Sequence, residues 1–329
     1  QYGGANDADD SGILRYVVVK HTGATVGNGD ELNGISFGGV GSSTVIENLE
    51  VYSTFDDGVE MFGGSVNITN LVGLYVRDDA IDIDEGYNGT ITNALVIQSA
   101  NDGNHCIESD GLGSYSSLDQ ATKDDFIARG LNSAPTINNL TCILSGHGAG
   151  THDPSAGWRL REGIHPVIND ALVVASFAAN DQTSGSDNYC LRIDNAETQT
   201  AALNGDLQLN SVIFACQENS KGNAFGTFAN EQEWAEDAGN QFATVADGTT
   251  KDASAANDAD LQLLEGATRH QSIAWNTSMV DGAAPLATTE PTSGNVADAL
   301  GGVTAADDWT TGWTYGIHDG SRGQALWFE

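Results

Sequence analysis

The residues of this chain that could do chemistry are acids set against arginines. Glu60, Asp82 and Glu108 fall at equivalent places in three similar segments, and Arg159 and Arg192 take that place in the next two. Asp57, Asp79 and Asp102 lie near this series, and Asp84 and Asp110 follow two residues further on. Two carboxylates about 5 to 10 Å apart are what glycoside hydrolysis uses. Clustered oxygens also suit a hard cation such as Ca2+. The candidate ligands are Asp56 and Asp57, Asp78 and Asp79, and the loop carrying Asp7, Asp9 and Asp10. Composition weighs against over-reading these acids, because the chain has 46 Asp+Glu against 12 Lys+Arg and a net charge of −34.

Other chemistries have less behind them. His147, His152 and His165 lie near Asp153, but in a glycine loop with no His-x-x-x-His on a helix to hold zinc or copper. No Gly-x-Ser-x-Gly elbow offers a serine nucleophile. The run Asp252 to Asp260 has spaced acids but no glycine at its sixth place, and Leu263 stands where a bidentate Glu belongs, so it is not an EF-hand.

The elements that must position the acids are repeats. Ile46-Glu47-Asn48-Leu49 returns as Ile68-Thr69-Asn70-Leu71 and as Ile91-Thr92-Asn93-Ala94, a period in the low twenties. Short alternating runs with Gly, Asn and Asp corners at such a period predict an all-β, single right-handed parallel β-helix of about seven coils. One corner column reads Tyr16, Asn48, Asn70, Asn93, Asn139, Asp170, Ser211. Asparagine suits a recurrent bend because it tolerates left-handed backbone angles, and stacked amides can bond from coil to coil. Two interior columns are expected, Val59/Ile81/Ile107/Trp158/Leu191 and Met61/Ile83/Ser109/Leu160/Ile193, with the acid–arginine series between them facing outward.

Residues 1 to 216 carry the coils, with a helical loop expected inside 115 to 133 around Gln120 to Ala128. Residues 217 to 268 form an acidic insertion in which 231 to 238 and 261 to 265 are helix-compatible, and 269 to 329 hold the last coils and an aromatic cap or interface. Four cysteines without a Cys-x-x-Cys point towards disulfides and an oxidising compartment, although four buried thiols in a reduced chain are the alternative. Cys106 and Cys190 share a column but stand about 10 Å apart with a coil between them. Pairing of Cys106 with Cys142 and of Cys190 with Cys216 is therefore preferred. Gln1 opens inside glycine-rich coil sequence with no signal-peptide pattern, as in a processed or cropped chain.

Several phrases carry a resemblance. Gln1-Tyr2-Gly3-Gly4 with Asp10-Ser11-Gly12-Ile13-Leu14-Arg15-Tyr16-Val17 is similar to a large group of secreted bacterial right-handed parallel β-helix surface proteins and lipoproteins. So are the stretches 27 to 34 and 56 to 64, and the closing 309 to 315. The resemblance covers about residues 1 to 215. It implies an extracellular or cell-surface location and carries no catalytic residues to transfer.

The acidity disfavours nucleic acid and anionic lipid, and no apolar run is long enough for membrane insertion. On balance the sequence points to a non-catalytic extracellular building block of a filament, sheath or longer rod, with copies of itself or further segments of a longer chain as partners. Tyr16, Trp309, Trp313 and Trp327 are the expected contacts between units. The alternative is a calcium-dependent polysaccharide lyase or glycoside hydrolase, since parallel β-helices often host these, with Asp82, Glu108 and Arg159 as its catalytic group. A glycan-binding module without catalysis lies between the two.

Overall fold

The computed structural model describes residues 4–99, 102–113, 115–144, 154–175, 188–216, 218–242, 273–274, 299–303 and 308–318. The repeats alternate long and short strands. They begin β1 (Ile13–Lys20), β2 (Ile35–Gly38), β3 (Val45–Tyr52), β4 (Val59–Phe62), β5 (Asn67–Leu74), β6 (Ile81–Asp84), β7 (Thr90–Ile97) and β8 (His105–Asp110). They continue β9 (Thr136–Leu144), β10 (Ala156–Arg161), β11 (Val167–Ala175), β12 (Tyr189–Ile193), β13 (Gln208–Ala215), β14 (Glu218–Ser220) and β15 (Gln241–Phe242). Odd strands stack as one eight-stranded sheet and even strands as one of seven. Neighbours within each sheet run parallel, so the chain is a parallel β-helix.

The corner column explains how each long strand serves the core. Tyr16, Asn48, Asn70, Asn93, Asn139, Asp170 and Ser211 all have φ between 55° and 62°. A left-handed residue breaks the two-residue alternation of the strand. Ile46 therefore faces the interior, and so do Leu49 and Val51 beyond the bend. The amides stack as expected: Asn70 Nδ2 donates to Asn48 Oδ1 at 2.9 Å, Asn93 to Asn70 at 2.9 Å and Asn139 to Asn93 at 3.0 Å.

On the short strands the pairs Val59↔Ile81↔Ile107↔Trp158↔Leu191 and Met61↔Ile83↔Ser109↔Leu160↔Ile193 form the two interior columns. All ten are buried. Both preferred disulfides form, Cys106–Cys142 and Cys190–Cys216. Cys106 on β8 is joined to Cys142 on β9, and Cys190 on β12 to Cys216, the residue after β13, so each disulfide links the short-strand side to the long-strand side.

Among the described residues, three α-helices interrupt the coils. α1 (Gln120–Ala128) sits in the first insertion, with Asp119 capping Thr122 N–H. α2 (Ala196–Asn204) had no forecast; its Ala- and Thr-containing stretch is separated from β12 by two residues. α3 (Glu231–Asp237) buries Trp234 and Ala235 against the interior cluster and so closes the far end of the coils. The expected helix at 261 to 265 and the acidic run 252 to 260 lie outside the described residues. Ile273–Ala274 has strand character, but pairs antiparallel with Ala299–Leu300 instead of joining either stack.

The outer face of the long-strand sheet is apolar, with Tyr52, Val72, Leu74, Leu95, Ile97 and Ile143 buried there. Such a face must be covered. Residues 303 and 309 to 317 lie over it, with Trp309, Trp313, Tyr315 and Ile317 packed on it. Trp313 meets Tyr16 edge-on with ring centroids 6.2 Å apart. These three expected interface residues thus contact each other or the sheet within one chain, and Trp327 lies outside the described residues.

Candidate functional site on the outer face of the short strands

The short strands are only a few residues long, so stacking them sets outward side chains in straight columns about 4.8 Å apart. The middle column is Ser36, Glu60, Asp82, Glu108, Arg159, Arg192 in register. Beside it, Asp110 pairs in register with Arg161, and Asp84 ends β6 one residue past the Ile83↔Ser109 pair. Two residues ahead of the first interior column stand Asp57 and Asp79, just before β4 and β6, and His105, Ala156 and Tyr189, which open β8, β10 and β12. In the coil after β6 His105 takes the place of Asp57 and Asp79, and Asp102, expected near the series, lies three residues before it. Asp102 turns away to Arg77, whose Nε it meets at 2.8 Å.

The face divides into an acidic half and a paired half. In the paired half Arg159 reaches Glu108 at 3.0 Å and Asp194 at 3.1 Å, and Arg161 reaches Glu108 at 2.9 Å and Asp110 at 3.0 Å. Arg192 closes the group on Asp194 at 2.8 Å. The forecast meeting of Glu108 with Arg159 is therefore present, within a wider network.

In the acidic half, burial and neighbouring acids dominate the carboxyls of Asp57 and Asp82. Burial pushes the Asp57 carboxyl well above its usual range, and Asp82, Asp79, Asp56 and Asp78 push it further the same way. Asp82 keeps part of its surface at solvent but is ringed by protein. Burial first, then Asp79, Glu60, Glu108 and Asp110, raise it too. Glu60 is raised to about 7, mainly by burial, although Asn33 donates to it. Asp84 is likewise raised by burial to about 7. Oxygens of Asp57, Glu60 and Asp82 all lie within 4.8 Å of one another. So do those of Glu31, Asp56 and Asp78, and those of Asp57, Asp78 and Asp79.

Asp79 is already engaged. Its Oδ1 accepts the backbone N–H and the Nδ1–H of His105, each at 2.7 Å. Asp57 Oδ1 accepts the backbone N–H of Asp79 at 3.2 Å, and Asp57, Glu60 and Asp82 form one oxygen set with the spacing to hold a hard cation. The Asp7–Asp9 loop is held differently: the Asp7 carbonyl accepts from Ser42 N and Ser65 Oγ, and Asp9 Oδ2 from Ser11 Oγ. Among the expected histidines, His147 and His152 lie outside the described residues. His165 lines a cleft of about 710 Å³ between α1 and α2, away from the acid–arginine columns.

His105 and Tyr189 escaped the sequence reading. The signal was available, since carrying the same register two residues upstream of Ile107 and Leu191 lands on both.

A family model described as a pectate-lyase-like β-helix domain matches residues 1–314. No curated protein and no solved structure matches the chain.

Proposed function

This chain belongs to the pectate-lyase-like β-helix family, and we propose on that footing that the short-strand face binds an acidic polysaccharide through a divalent cation. One observation carries the reading. Folding brings Asp57, Glu60 and Asp82 together, and the strongest charged neighbours of Asp57 and Asp82 are all acids. Carboxylates crowded in this way must bind protons or a cation near neutral pH. An all-oxygen set suits Ca2+. A bound ion would offer open positions to the carboxylates of a uronate chain laid along the columns, with Arg159 and Arg192 two and three coils beyond Asp82. Secretion to an oxidising compartment fits the two disulfides.

Calorimetric titration of galacturonate, guluronate, mannuronate and glucuronate oligomers, in Ca2+ and in chelator, tests this reading. Binding of at least one oligomer should weaken about tenfold or more in chelator, and equally in a D57N/E60Q/D82N variant. Binding indifferent to both, or no binding at all, overturns it.

One observation favours a second reading, the rod-like building block. The first strand is an open sheet edge on which Ile13 is 64 % and Tyr16 65 % exposed, and an uncovered edge is a template for another chain. Light scattering that finds only monomers at every concentration would set this aside. Trp309, Trp313 and Tyr315 do not support it, because they pack on their own sheet.

A further inference from the structure

Three neighbouring coils take the same corner in different ways. From β8 to β9 the chain runs through an insertion carrying α1, and from β12 to β13 through α2. Between them, β10 passes to β11 directly by way of residues 162–166. Two helices therefore flank one tight turn, with the cleft of about 710 Å³ between them. Gly163 and His165 line it from the turn, Asp124 and Ile127 from α1, and Glu197 and Ala201 from α2. The helices are bridged at their first turns, where Gln120 Nε2 donates to Glu197 Oε1 at 3.3 Å and Lys123 Nζ lies 4.0 Å from the same oxygen. From there the cleft extends to Asn204 and Asp206 at the end of α2.

The walls are apolar in a way the rest of the surface is not. Among the described residues, exposed large apolar side chains fall in two groups. Ile13, Leu14, Tyr16, Val26 and Leu32 belong to the first coil, and Ile127, Leu131 and Leu203 lie on α1, just after it and on α2. None of the nine residues of α1 is buried, and a helix this short is marginal without a face to pack. Ile127 stands 45 % exposed in the cleft wall, so the described residues leave this face uncovered.

The charge along the cleft is one-sided. Asp124, Glu197 and Asp206 line it, and among the described residues no Lys or Arg does. Lys123 offsets Glu197 from beside the cleft. α2 has no basic residue in its last turn, so its negative end adds to Asp206. A bare metal ion gains nothing from apolar walls, and an anionic ligand is repelled. Positive charge on either side of an apolar group matches both features.

We propose that this cleft docks a basic peptide segment of another protein, seating one apolar side chain against Ile127 and Ala201 and a Lys or Arg on each of Asp124 and Asp206. Gln120, Thr200 and Asn204 line the same walls and offer neutral polar groups to the peptide backbone. The proposal goes beyond the polysaccharide reading, which uses the short-strand face.

Fluorescence anisotropy with labelled synthetic nonapeptides, each carrying two lysines with one leucine between them at varied spacing, tests this at about 150 mM salt. At least one should bind the native chain with a Kd of about 100 μM or tighter, and the same peptide with serine for leucine should bind about tenfold more weakly. Asp124, Ile127 and Asp206 are all exposed, so D124N/D206N and I127S should keep the native melting temperature. Each should weaken peptide binding about tenfold or more. Peptides that do not bind, serine peptides that bind equally well, or binding that both variants leave intact overturn the proposal. So does light scattering in which the native chain self-associates and I127S does not, because the cleft then seats a second copy of this chain.

Discussion

Asn70 shows how one residue sets the path of a coil. Its φ of 62° turns the strand so that side chains on both sides of the bend reach the interior, and its amide bonds to those above and below. Replacing it with alanine keeps neither advantage and should cost about 2 kcal/mol, whereas glycine should cost less because it accepts the left-handed angle. Chemical denaturation of both variants checks the order. This column was legible in the sequence because asparagine recurs at a fixed spacing. Glu50 was not: it sits in an outward position like its neighbours, and only the covering tail buries it. Tyr315 N–H donates to its Oε2 at 2.6 Å, and burial raises its carboxyl to about 8. A raised acid favours the fold below its unfolded value of 4.5, and that contribution is lost as pH climbs through 8. E50Q should therefore match the native melting temperature at pH 5 and exceed it at pH 9. A parallel pH dependence in both proteins would show Glu50 to be ionised under the tail.

At the scale of elements, the short strands fix the site and the long strands fix the coil. Ile81 is fully buried between Val59 and Ile107. I81D should destabilise by more than about 4 kcal/mol, since it places a charge in stacked apolar surface, and loss of cooperative melting would be the readout. The register of these strands followed from the period and from the apolar positions, so the Glu60–Asp82–Glu108–Arg159 column could be written down in advance. Two things could not. The third corner segment carries extra residues, which hid His105 behind Asp102. The apolar outer face of the long strands looked like ordinary core sequence, so the tail that covers it read as an interface with another molecule. A solenoid pattern tells which residues stack but not which outer face is covered, because cover comes from segments outside the period.

For the whole molecule, the central claim is that the acidic half of the short-strand face is built for a cation. Glu60 and Asp84 are raised to about 7, so without a cation the fold retains protons on them that the unfolded chain has released. Their contribution is full below the unfolded values of 4.5 and 3.8 and is lost as pH rises through about 7. A cation that binds only the native state reverses this, and does so best where protons no longer compete. The most direct measurement is the melting temperature of the chain at pH 5 and at pH 8, each in chelator and in excess Ca2+. In chelator the midpoint should fall from pH 5 to pH 8. Calcium should restore it at pH 8, do little at pH 5, and do nothing for D57N/E60Q/D82N. Curves at pH 8 that superimpose with and without calcium would contradict the account.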